Sequence, residues 1–438
     1  MDKHKFTDKM TGSLARILEP KPDWAFIPNK LPANWAFDPA LWPLLAEAKE
    51  TLGTLNGIGQ TLQEPNLLLR PLLNREAIAS SSIEGTFVTP QQLLLYGLDP
   101  KEAHSQRGKV AEWREVFNYG LALERGCEAL KSLPVCNRVI KDMHAVLMNG
   151  VSSGLNKPGV FRQFQVHIGS NGRFVPPPPE HALKLMDDLE NYVNTCDPGL
   201  DQLVRAFLVH YQFEAIHPFG DGNGRVGRAL LALMIYNWLD HSKPWVYLSA
   251  FFEANKDEYI QKLFNVSARG EWTEWVEFCL RGTVMQANDS IRRCRELKRL
   301  LGKYQNLVTS PSCRTHRLID KLFISPVVTI TSAAKDFGVD YQTARRDLEK
   351  LIEVKILQEV TGHRPRLFCA PEIMSVAYDE PQEWALPKTP PVGATAPSPP
   401  SSQSPVSVQP TTWQLGPAHP LILPTDPTQQ RLGSSPSP

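Results

Sequence analysis

The chain has 438 residues, with 47 Lys or Arg, 46 Asp or Glu and a formal net charge of +1 at pH 7. This balance excludes a global electrostatic attraction to nucleic acid or to a membrane surface, and no apolar run reaches the length of a membrane span. The seven cysteines are scattered and form no Cys-x-x-Cys pair, which argues against a disulfide framework and a structural zinc site. With an N-terminus that lacks an apolar leader, these features predict a cytoplasmic protein.

Residues 1–100 are predicted to form a mainly helical N-terminal region. Pro-rich loops there separate helical stretches such as 41–52. A helix at about 71–84 is predicted to end at Gly85, because glycine readily takes the left-handed conformation that closes a helix. Residues 101–282 follow as a mostly helical core that carries the chemically informative residues.

A β-hairpin is predicted within this core at residues 159–175. Apolar and polar side chains alternate there around the pair Asn171-Gly172, which is typical of two strands joined by a tight turn. The prolines at 176–179 would end the second strand. On these residues alone, the hairpin is either a functional flap or an ordinary edge hairpin.

The most informative stretch is 217–228, which reads His-Pro-Phe-Gly-Asp-Gly-Asn-Gly-Arg-Val-Gly-Arg. It lies between an apolar segment at 203–213 with helical spacing of three and four and an apolar helix at 226–239. Glycines let a backbone approach a ligand closely, and a loop that enters a helix N-terminus favours anions. The stretch therefore predicts a phosphate-binding loop.

Four side chains of this loop have chemistry suited to a bound polyphosphate. Arg225 and Arg228 can each donate two parallel hydrogen bonds to phosphate oxygens. Asp221 offers a hard oxygen ligand to Mg²⁺, which is commonly bound by one or two carboxylates together with the phosphates. His217 titrates near neutral pH and can act as a general base.

Two other interpretations of the loop are available. Residues 222–227 also match the G-x-G-x-x-G dinucleotide fingerprint, with Asp240 at about the expected distance. That fingerprint must follow a buried strand, whereas residues 203–213 are helical and Asp240 lies in a loop, so this interpretation is rejected. The second is a glycine-rich turn with a solvated pair of arginines.

The loop resembles the signature of the Fic (filamentation induced by cAMP) family. The family pattern His-Pro-Phe-x-(Asp/Glu)-Gly-Asn-Gly-Arg-x-x-Arg is met at every fixed position of 217–228. The resemblance implies a mainly α fold, with a Fic helical core and a small β-hairpin flap that binds the target segment by strand addition. It also implies a protein adenylyltransferase, which moves AMP from ATP to a Ser, Thr or Tyr hydroxyl of a target protein or of the enzyme itself.

The same resemblance implies a role for each residue of the loop. His217 would deprotonate the target hydroxyl, Phe219 would anchor the loop in the core, and Asp221 would hold Mg²⁺. Arg228 would reach the γ-phosphate. The nucleotide-binding residues implied within the loop are Gly222, Asn223, Gly224, Arg225, Val226, Gly227 and Arg228.

Further residues follow from the resemblance with less sequence support. A helix that starts near Tyr247 would place Asn255, Tyr259 and Leu263 beside the adenine. Since this part of the chain departs from the family pattern at Ile260, packing in the core is an equal alternative for these three residues.

The predicted helix at 71–84 gains a regulatory meaning from the resemblance. Ser80 and Glu84 lie four residues apart and therefore on one face; alone, they are equally compatible with a solvated helix end. The string Ser-x-x-x-Glu-Gly resembles the inhibitory helix of Fic proteins, in which the glutamate pairs with the second arginine of the loop, here Arg228. An alternative activity implied for such proteins is removal of AMP from a modified target.

A linking helix at 283–311 and a winged helix at 312–375 are predicted after the core. The linking helix is rich in Arg and Lys, and its basic cluster is either a solvated face or a nucleic-acid contact. In 312–375, two short helices meet at Gly338 and a hairpin pattern follows at 357–368, as in a winged helix-turn-helix.

The second short helix of this region does not decide whether its partner is DNA or protein. Tyr341, Arg345 and Arg346 are suited to contact DNA, but Asp347 and Glu349 dilute the positive charge. The winged helix is therefore predicted either to bind DNA, as in a nucleotide-sensing regulator, or to dock a protein or form a homodimer.

The last segment, 380–438, is rich in Pro, Ser and Thr and poor in charge. Such a composition buries too little apolar surface to offset the entropy of ordering, so a disordered tail is predicted. Trp413 and 421–423 are weak candidates for a short docking segment.

Overall fold

The structure is a computed structural model that describes residues 1–33, 35–62, 64–98, 110–151, 157–169, 172–195, 199–308, 313–361 and 365–379. The predicted tail at 380–438, with Trp413 and 421–423, and the turn residue Asn171 lie outside the described residues. Among the described helices, none combines the length and the apolar character needed to cross a bilayer.

Helices dominate the described residues, which confirms the predicted mainly α fold class. In chain order they are α1 (Trp42–Gln60), α2 (Asn66–Ile83), α3 (Pro90–Leu98), α4 (Val110–Ala129), α5 (Asn137–Leu147), α6 (Pro179–Asn194), α7 (Gln202–Ile216), α8 (Asn223–Trp238), α9 (Ser249–Ala254), α10 (Lys256–Arg269), α11 (Trp272–Leu307), α12 (Cys313–Ile324), α13 (Ile330–Phe337), α14 (Tyr341–Glu353) and α15 (Pro371–Tyr378). Helices α7 and α8 are buried on almost every side, as expected for helices that are apolar all round. They form the centre of the core.

A two-stranded sheet near the N-terminus was not expected from the sequence. Strands β1 (Gly12–Ile17) and β2 (Asp23–Pro28) pair antiparallel. The Phe26 ring of β2 lies 5.8 Å from the Phe174 ring, and the Phe26 N–H donates to the Val175 carbonyl oxygen at 2.9 Å. The sheet therefore supports the base of the predicted flap, a long-range contact with no local sequence signal.

The predicted hairpin at 159–175 is less regular than its alternating pattern suggested. Among its described residues, the ladder is limited to one antiparallel bridge between Ile168 and Phe174. We call the segment 159–175 the flap. Arg162 fixes the conformation of its backbone. Its buried guanidinium donates to the Pro177 carbonyl oxygen at 2.6 Å and to that of Phe164 at 3.1 Å.

The predicted boundary between a core ending at 282 and a linking helix at 283–311 falls inside helix α11. The helix is continuous over 36 residues and crosses that boundary without a break. Gly282 marks a close approach of two helices, because a Cβ there would lie 2.5 Å from Cδ1 of Phe251 in α9.

The C-terminal region, residues 313–379, contains α12, α13, α14, α15 and a three-stranded sheet. Its strands are β3 (Val327–Thr329), β4 (Gln358–Val360) and β5 (Leu367–Cys369), in the order β3-β5-β4. Gly338 turns the chain between α13 and α14 with φ of 61°, a conformation that favours glycine. Helix α12 packs against α2, and α15 packs against α2 and α11.

Candidate functional site

The candidate active site begins at His217, where α7 ends. His217 has a left-handed backbone conformation, with φ of 52° and ψ of 61°, and its N–H donates to the Phe213 carbonyl oxygen at 2.9 Å. This conformation is costly for a residue with a Cβ and must be held by its surroundings. Arg162 of the flap helps to hold it, by donating to the His217 carbonyl oxygen at 2.8 Å.

The imidazole of His217 is neutral and has one unprotonated nitrogen. Its Nδ1 lies 3.3 Å from the carbonyl oxygen of Glu214, so Nδ1 carries the hydrogen and Nε2 is the free acceptor. Burial lowers the pKa of His217 to about 4, and the Arg162 guanidinium acts in the same direction. The ring is therefore neutral at physiological pH, which is the form that a general base requires.

Two side chains hold the loop between α7 and α8 from within. Phe219 is fully buried, as implied for the loop anchor, and stacks on the His144 ring with centroids 3.7 Å apart. The Asn223 side chain accepts from the Phe219 N–H at 2.8 Å and donates to the Phe219 carbonyl oxygen at 3.0 Å. Because both ends of this amide are bonded inside the loop, Asn223 fixes the conformation of the loop; its predicted part in nucleotide binding stays a prediction.

His144 of α5 is a site residue that the sequence does not reveal, since a lone histidine on a helix carries no pattern. Its Nδ1 accepts from the Gly159 N–H at 2.8 Å, so its Nε2 carries the hydrogen and donates to the Asp221 carbonyl oxygen at 3.1 Å. Burial lowers the pKa of His144 to about 4. The neutral ring thus connects α5, the flap and the loop.

Glycines shape the N-terminus of α8. Gly222, just before the helix, has φ of 75°, in the region that favours glycine. A Cβ at Gly224 would overlap Oε1 of Glu84, so glycine admits the carboxylate at this point. Helix N-termini attract anions through their N–H groups and dipole. Glu84 therefore supplies negative charge where the sequence predicts a phosphate.

Arg228, one turn further along α8, is bound by the end of α2. Its Nε donates to Ser80 Oγ at 2.9 Å, and its Nη2 donates to the Ser80 carbonyl oxygen at 2.8 Å and to Glu84 Oε1 at 2.7 Å. Burial opposes the ionisation of Glu84, but Arg228 and then Arg225 outweigh it and lower the pKa of this carboxyl. The pair between Glu84 and Arg228 that the resemblance implied is present and charged.

Arg225 is also bound by carboxylates. It pairs with Glu115 of α4 and lies 3.5 Å from Asp221 Oδ1. Glu115 also accepts a hydrogen bond from Thr86 Oγ1 at 3.1 Å. Thr86 lies two residues after Glu84. The sequence offers no sign of Glu115, because its partners are distant along the chain.

A cavity of about 210 Å³ joins these groups. Its largely apolar wall comes from the end of α2, the flap, α7 and α10. Its lining includes Ile83, Glu84, Ile168, Phe174, Glu214, His217, Gly224, Arg228, Tyr259, Ile260, Leu263 and Phe264. His217, Arg228 and Glu84 therefore line one chamber.

The remaining predicted nucleotide-binding residues fall into two groups: some line the cavity, and others are packed in the core. Tyr259 and Leu263 line the cavity, and the Tyr259 hydroxyl also bonds to His210 Nε2 at 2.9 Å. Val226 is buried in the core. Gly227 packs closely against α7, since a Cβ there would overlap Oε1 of Glu214. Val226 and Gly227 thus position α8 and do not line the cavity.

Asn255 lies away from this cavity, which corrects its predicted place beside the adenine. The helix expected from Tyr247 breaks at Asn255 (φ −120°, ψ 37°), between α9 and α10. The Asn255 side chain donates to the Phe251 carbonyl oxygen at 2.9 Å and lines a separate cavity with Glu258 and Phe278.

Comparison with known families agrees with the geometry of the loop. The family model described as Fic/DOC family N-terminal matches residues 42–128, and the model described as Fic/DOC family matches residues 134–235. The chain belongs to the Fic family. The second match includes the whole of the loop at 217–228, and the first includes α2.

Curated relatives of this Fic protein carry the name protein adenylyltransferase. The "Probable protein adenylyltransferase aq_aa38" of Aquifex aeolicus (strain VF5) is 35% identical over 212 residues, which cover 48% of this chain and 58% of the relative. The protein adenylyltransferase fic-1 of Caenorhabditis elegans is 37% identical over 78 residues, which cover 18% of this chain and 15% of the relative. The chain thus spans 58% or less of the length of these relatives.

One solved structure similar to this Fic protein is a Fic family protein from Desulfovibrio desulfuricans G20. It shares 22% sequence identity with a TM-score of 0.48, and the match covers 77% of this chain and 97% of that chain.

His144→Ala is expected to destabilise this Fic protein. It removes a buried ring that stacks on Phe219 and a hydrogen bond to the loop, so the free energy of unfolding should fall by about 1–3 kcal/mol. Urea denaturation at pH 7 measures the change. His181→Ala, at an exposed site on α6, is the control and should leave stability unchanged. Equal stability of the two variants would contradict the role of His144.

Proposed function

We propose that this protein is a protein adenylyltransferase that transfers AMP from ATP to a Ser, Thr or Tyr hydroxyl of a target protein. The observation that carries the proposal is the shared cavity, in which a neutral His217 faces Arg228 and the N-terminus of α8. The names of the relatives from Aquifex aeolicus and Caenorhabditis elegans support the same activity.

In the proposed reaction, the target hydroxyl oxygen attacks the α-phosphorus of ATP. The new oxygen–phosphorus bond forms as the bond from the α-phosphorus to the bridging oxygen breaks, and pyrophosphate leaves with that electron pair. Nε2 of His217 accepts the hydroxyl proton. The arginines and the N-terminus of α8 stabilise the phosphate charge, so catalysis rests mainly on positioning and electrostatics.

Asp221 has the properties of a ligand for Mg²⁺. Its side chain is 55% exposed, and its Oδ1 is oriented by the Gly222 N–H at 2.6 Å. A single hard carboxylate at the mouth of a phosphate loop suits an ion that shares its coordination with the substrate phosphates. When bound, the metal would neutralise charge on those phosphates.

We further propose that α2 restrains this activity. Arg228 would hold the γ-phosphate, but its guanidinium is already bonded to Ser80 and Glu84. ATP would then compete with α2 for one buried arginine. The Glu84 side chain is 38% exposed, so it remains accessible from the cavity. That exposure also favours a second candidate activity, in which Glu84 orients a water that removes AMP from a modified target.

We propose that the C-terminal region is a winged helix, an assignment supported by the turn at Gly338 between α13 and α14 and by the strands β4 and β5 that follow. Its α14 exposes Tyr341, but Arg345 pairs with Glu349 at 2.7 Å, and Arg366 of β5 pairs with Glu359 at 2.6 Å. These pairs reduce the charge offered to DNA phosphates. The surface therefore favours docking of a protein or of a second copy over a DNA-binding regulator.

Release of Arg228 should raise the transferase activity. With α-labelled ATP, wild type should label itself or a target weakly, Glu84→Gly should label strongly, and His217→Ala should abolish labelling in either background. Autoradiography measures the label. Transfer from γ-labelled ATP would show that a different bond is broken, and equal labelling by wild type and Glu84→Gly would contradict the restraint.

The rate should be insensitive to mild acid. Because burial lowers the pKa of His217 to about 4, the base stays deprotonated well below pH 6.5, and activity is lost only as the pH falls through this lowered value. In Glu84→Gly combined with Glu214→Gln, which removes a cavity carboxyl whose pKa burial raises to about 7, kcat/KM should stay constant from about pH 8 to 5.5, whereas an ordinary histidine would lose about tenfold over this range. A tenfold loss would contradict the buried neutral state.

A further inference from the structure

The cavity contains a carboxyl group that the proposed reaction does not use. Glu214 lies in the last turn of α7, one turn before His217, and lines the cavity with Arg228 and Tyr259. Its Oε1 is buried and has no hydrogen-bond partner among the described residues. A buried polar atom without a partner is costly, which points to a donor brought by the cavity's occupant.

The surroundings of Glu214 keep its carboxyl at a fixed place. Its Oε1 packs so closely on Gly227 that a Cβ there would overlap it, which places the group where α7 crosses α8. Burial raises the pKa of Glu214 to about 7; Arg228 opposes this rise and Glu84 adds to it. At pH 8 the group is therefore mostly a carboxylate, which accepts hydrogen bonds and donates none.

The nucleotide itself can supply the donor. ATP carries donors only on its ribose hydroxyls and its adenine amino group, and the ribose is bonded directly to the phosphates. Glu214 shares the cavity with Arg228, proposed to bind the γ-phosphate, and with His217, proposed to act at the α-phosphate. Since the ribose hydroxyls lie closer to the phosphates than the adenine amino group does, the ribose is the nearer donor. Carboxylates perform this role in dinucleotide-binding folds, where they bind a ribose hydroxyl.

We propose that Glu214 accepts a hydrogen bond from a ribose hydroxyl and so makes the enzyme selective for ribonucleotides. This inference rests on the proposed transferase activity. Ile83, Leu263 and Phe264 give the chamber an apolar wall, which suits the base. Glu214 is then a specificity-determining residue, with no part in proton transfer.

The test compares ATP, 2′-deoxyATP and 3′-deoxyATP as donors at pH 8, each labelled on the α-phosphate, in the Glu84→Gly background. With Glu214 intact, kcat/KM for one deoxy analogue should be at least about tenfold lower than for ATP, the loss typical of a hydrogen bond to a charged group. Glu214→Ala should remove this preference. Glu214→Gln should retain part of it, because the amide oxygen still accepts. Tyr211→Phe is a matched control on the same helix, since its hydroxyl bonds to Ser267 at 2.8 Å, and it should keep the full preference.

The outcomes separate the two proposals. If no variant transfers label from ATP, the transferase proposal fails, and the inference about ribose fails with it. If ATP is used but the three donors are equivalent with Glu214 intact, only the inference is wrong. A ribose preference that survives in Glu214→Ala would overturn it as well.

A separate set of contacts joins α2 to the C-terminal region. Asn74 Nδ2 donates to the Tyr378 hydroxyl of α15 at 2.9 Å. Arg75 pairs with Asp289 of α11 at 2.7 Å and with Asp379 at 3.5 Å. Arg293 completes this network by pairing with the same two aspartates. The middle of α2, at Asn74 and Arg75, is therefore bonded to α11 and to the C-terminal region.

We infer that the C-terminal region holds α2 in its restraining position and so strengthens the hold of Glu84 on Arg228. Asn74→Ala removes one fastening without touching the active site. Labelling from ATP should rise about fivefold, in line with the loss of one hydrogen bond, and the same change should have no effect in Glu84→Gly.

Lys303→Ala is the matched control, because it breaks an ion pair between α11 and Glu372 of α15 and leaves α2 untouched. It should leave labelling at the wild-type level. Thermal unfolding checks that both variants are folded. Unchanged labelling in a folded Asn74→Ala protein, or an equal rise in Lys303→Ala, would contradict the inference.

Discussion

An arginine side chain keeps its charge at physiological pH, so burying one requires acceptors for its N–H groups. Arg228 is only 3% exposed, and Ser80 and Glu84 of the α2 segment provide acceptors at 2.7–2.9 Å. Docking of α2 on α8 therefore stabilises a charge that would otherwise be buried without partners. In the proposed function the phosphates need the same guanidinium, so the resting fold and the reactive complex compete for it.

The position of α2 depends on contacts well beyond that arginine. Glu76, buried in the middle of α2, accepts from the Tyr119 hydroxyl at 2.7 Å and from the Ser249 N–H at 3.1 Å. Burial raises the pKa of Glu76, although these hydrogen bonds oppose the rise. With Asn74 and Arg75 bound to α15 and α11, one helix touches Arg228 of α8, α4, α9 and the C-terminal region. The placement of Glu84 is thus set by packing remote from the cavity.

Features decided by neighbouring residues could be predicted from the sequence. The loop at 217–228 and the end of α2 near Gly85 are of this kind, because glycine conformation and helix ends are local properties. Contacts between distant segments could not be predicted. His144 and Arg162 act on backbone carbonyls of the loop, and a single histidine or arginine carries no pattern that shows this. Asn255 was misplaced because its side chain bonds to the Phe251 carbonyl oxygen of α9 at 2.9 Å and lines a separate cavity, a contact that has no sequence pattern.

The central claim is that Arg228 cannot bind the γ-phosphate while Glu84 and Ser80 hold it. Crystal structures of wild type and of Glu84→Gly, each with ATP and Mg²⁺, test this claim most directly. We expect Arg228 in wild type to remain bonded to Glu84 without contact to the γ-phosphate, and in Glu84→Gly to bind that phosphate with two hydrogen bonds. A wild-type complex in which Arg228 binds the γ-phosphate while its bond to Glu84 persists would contradict the account.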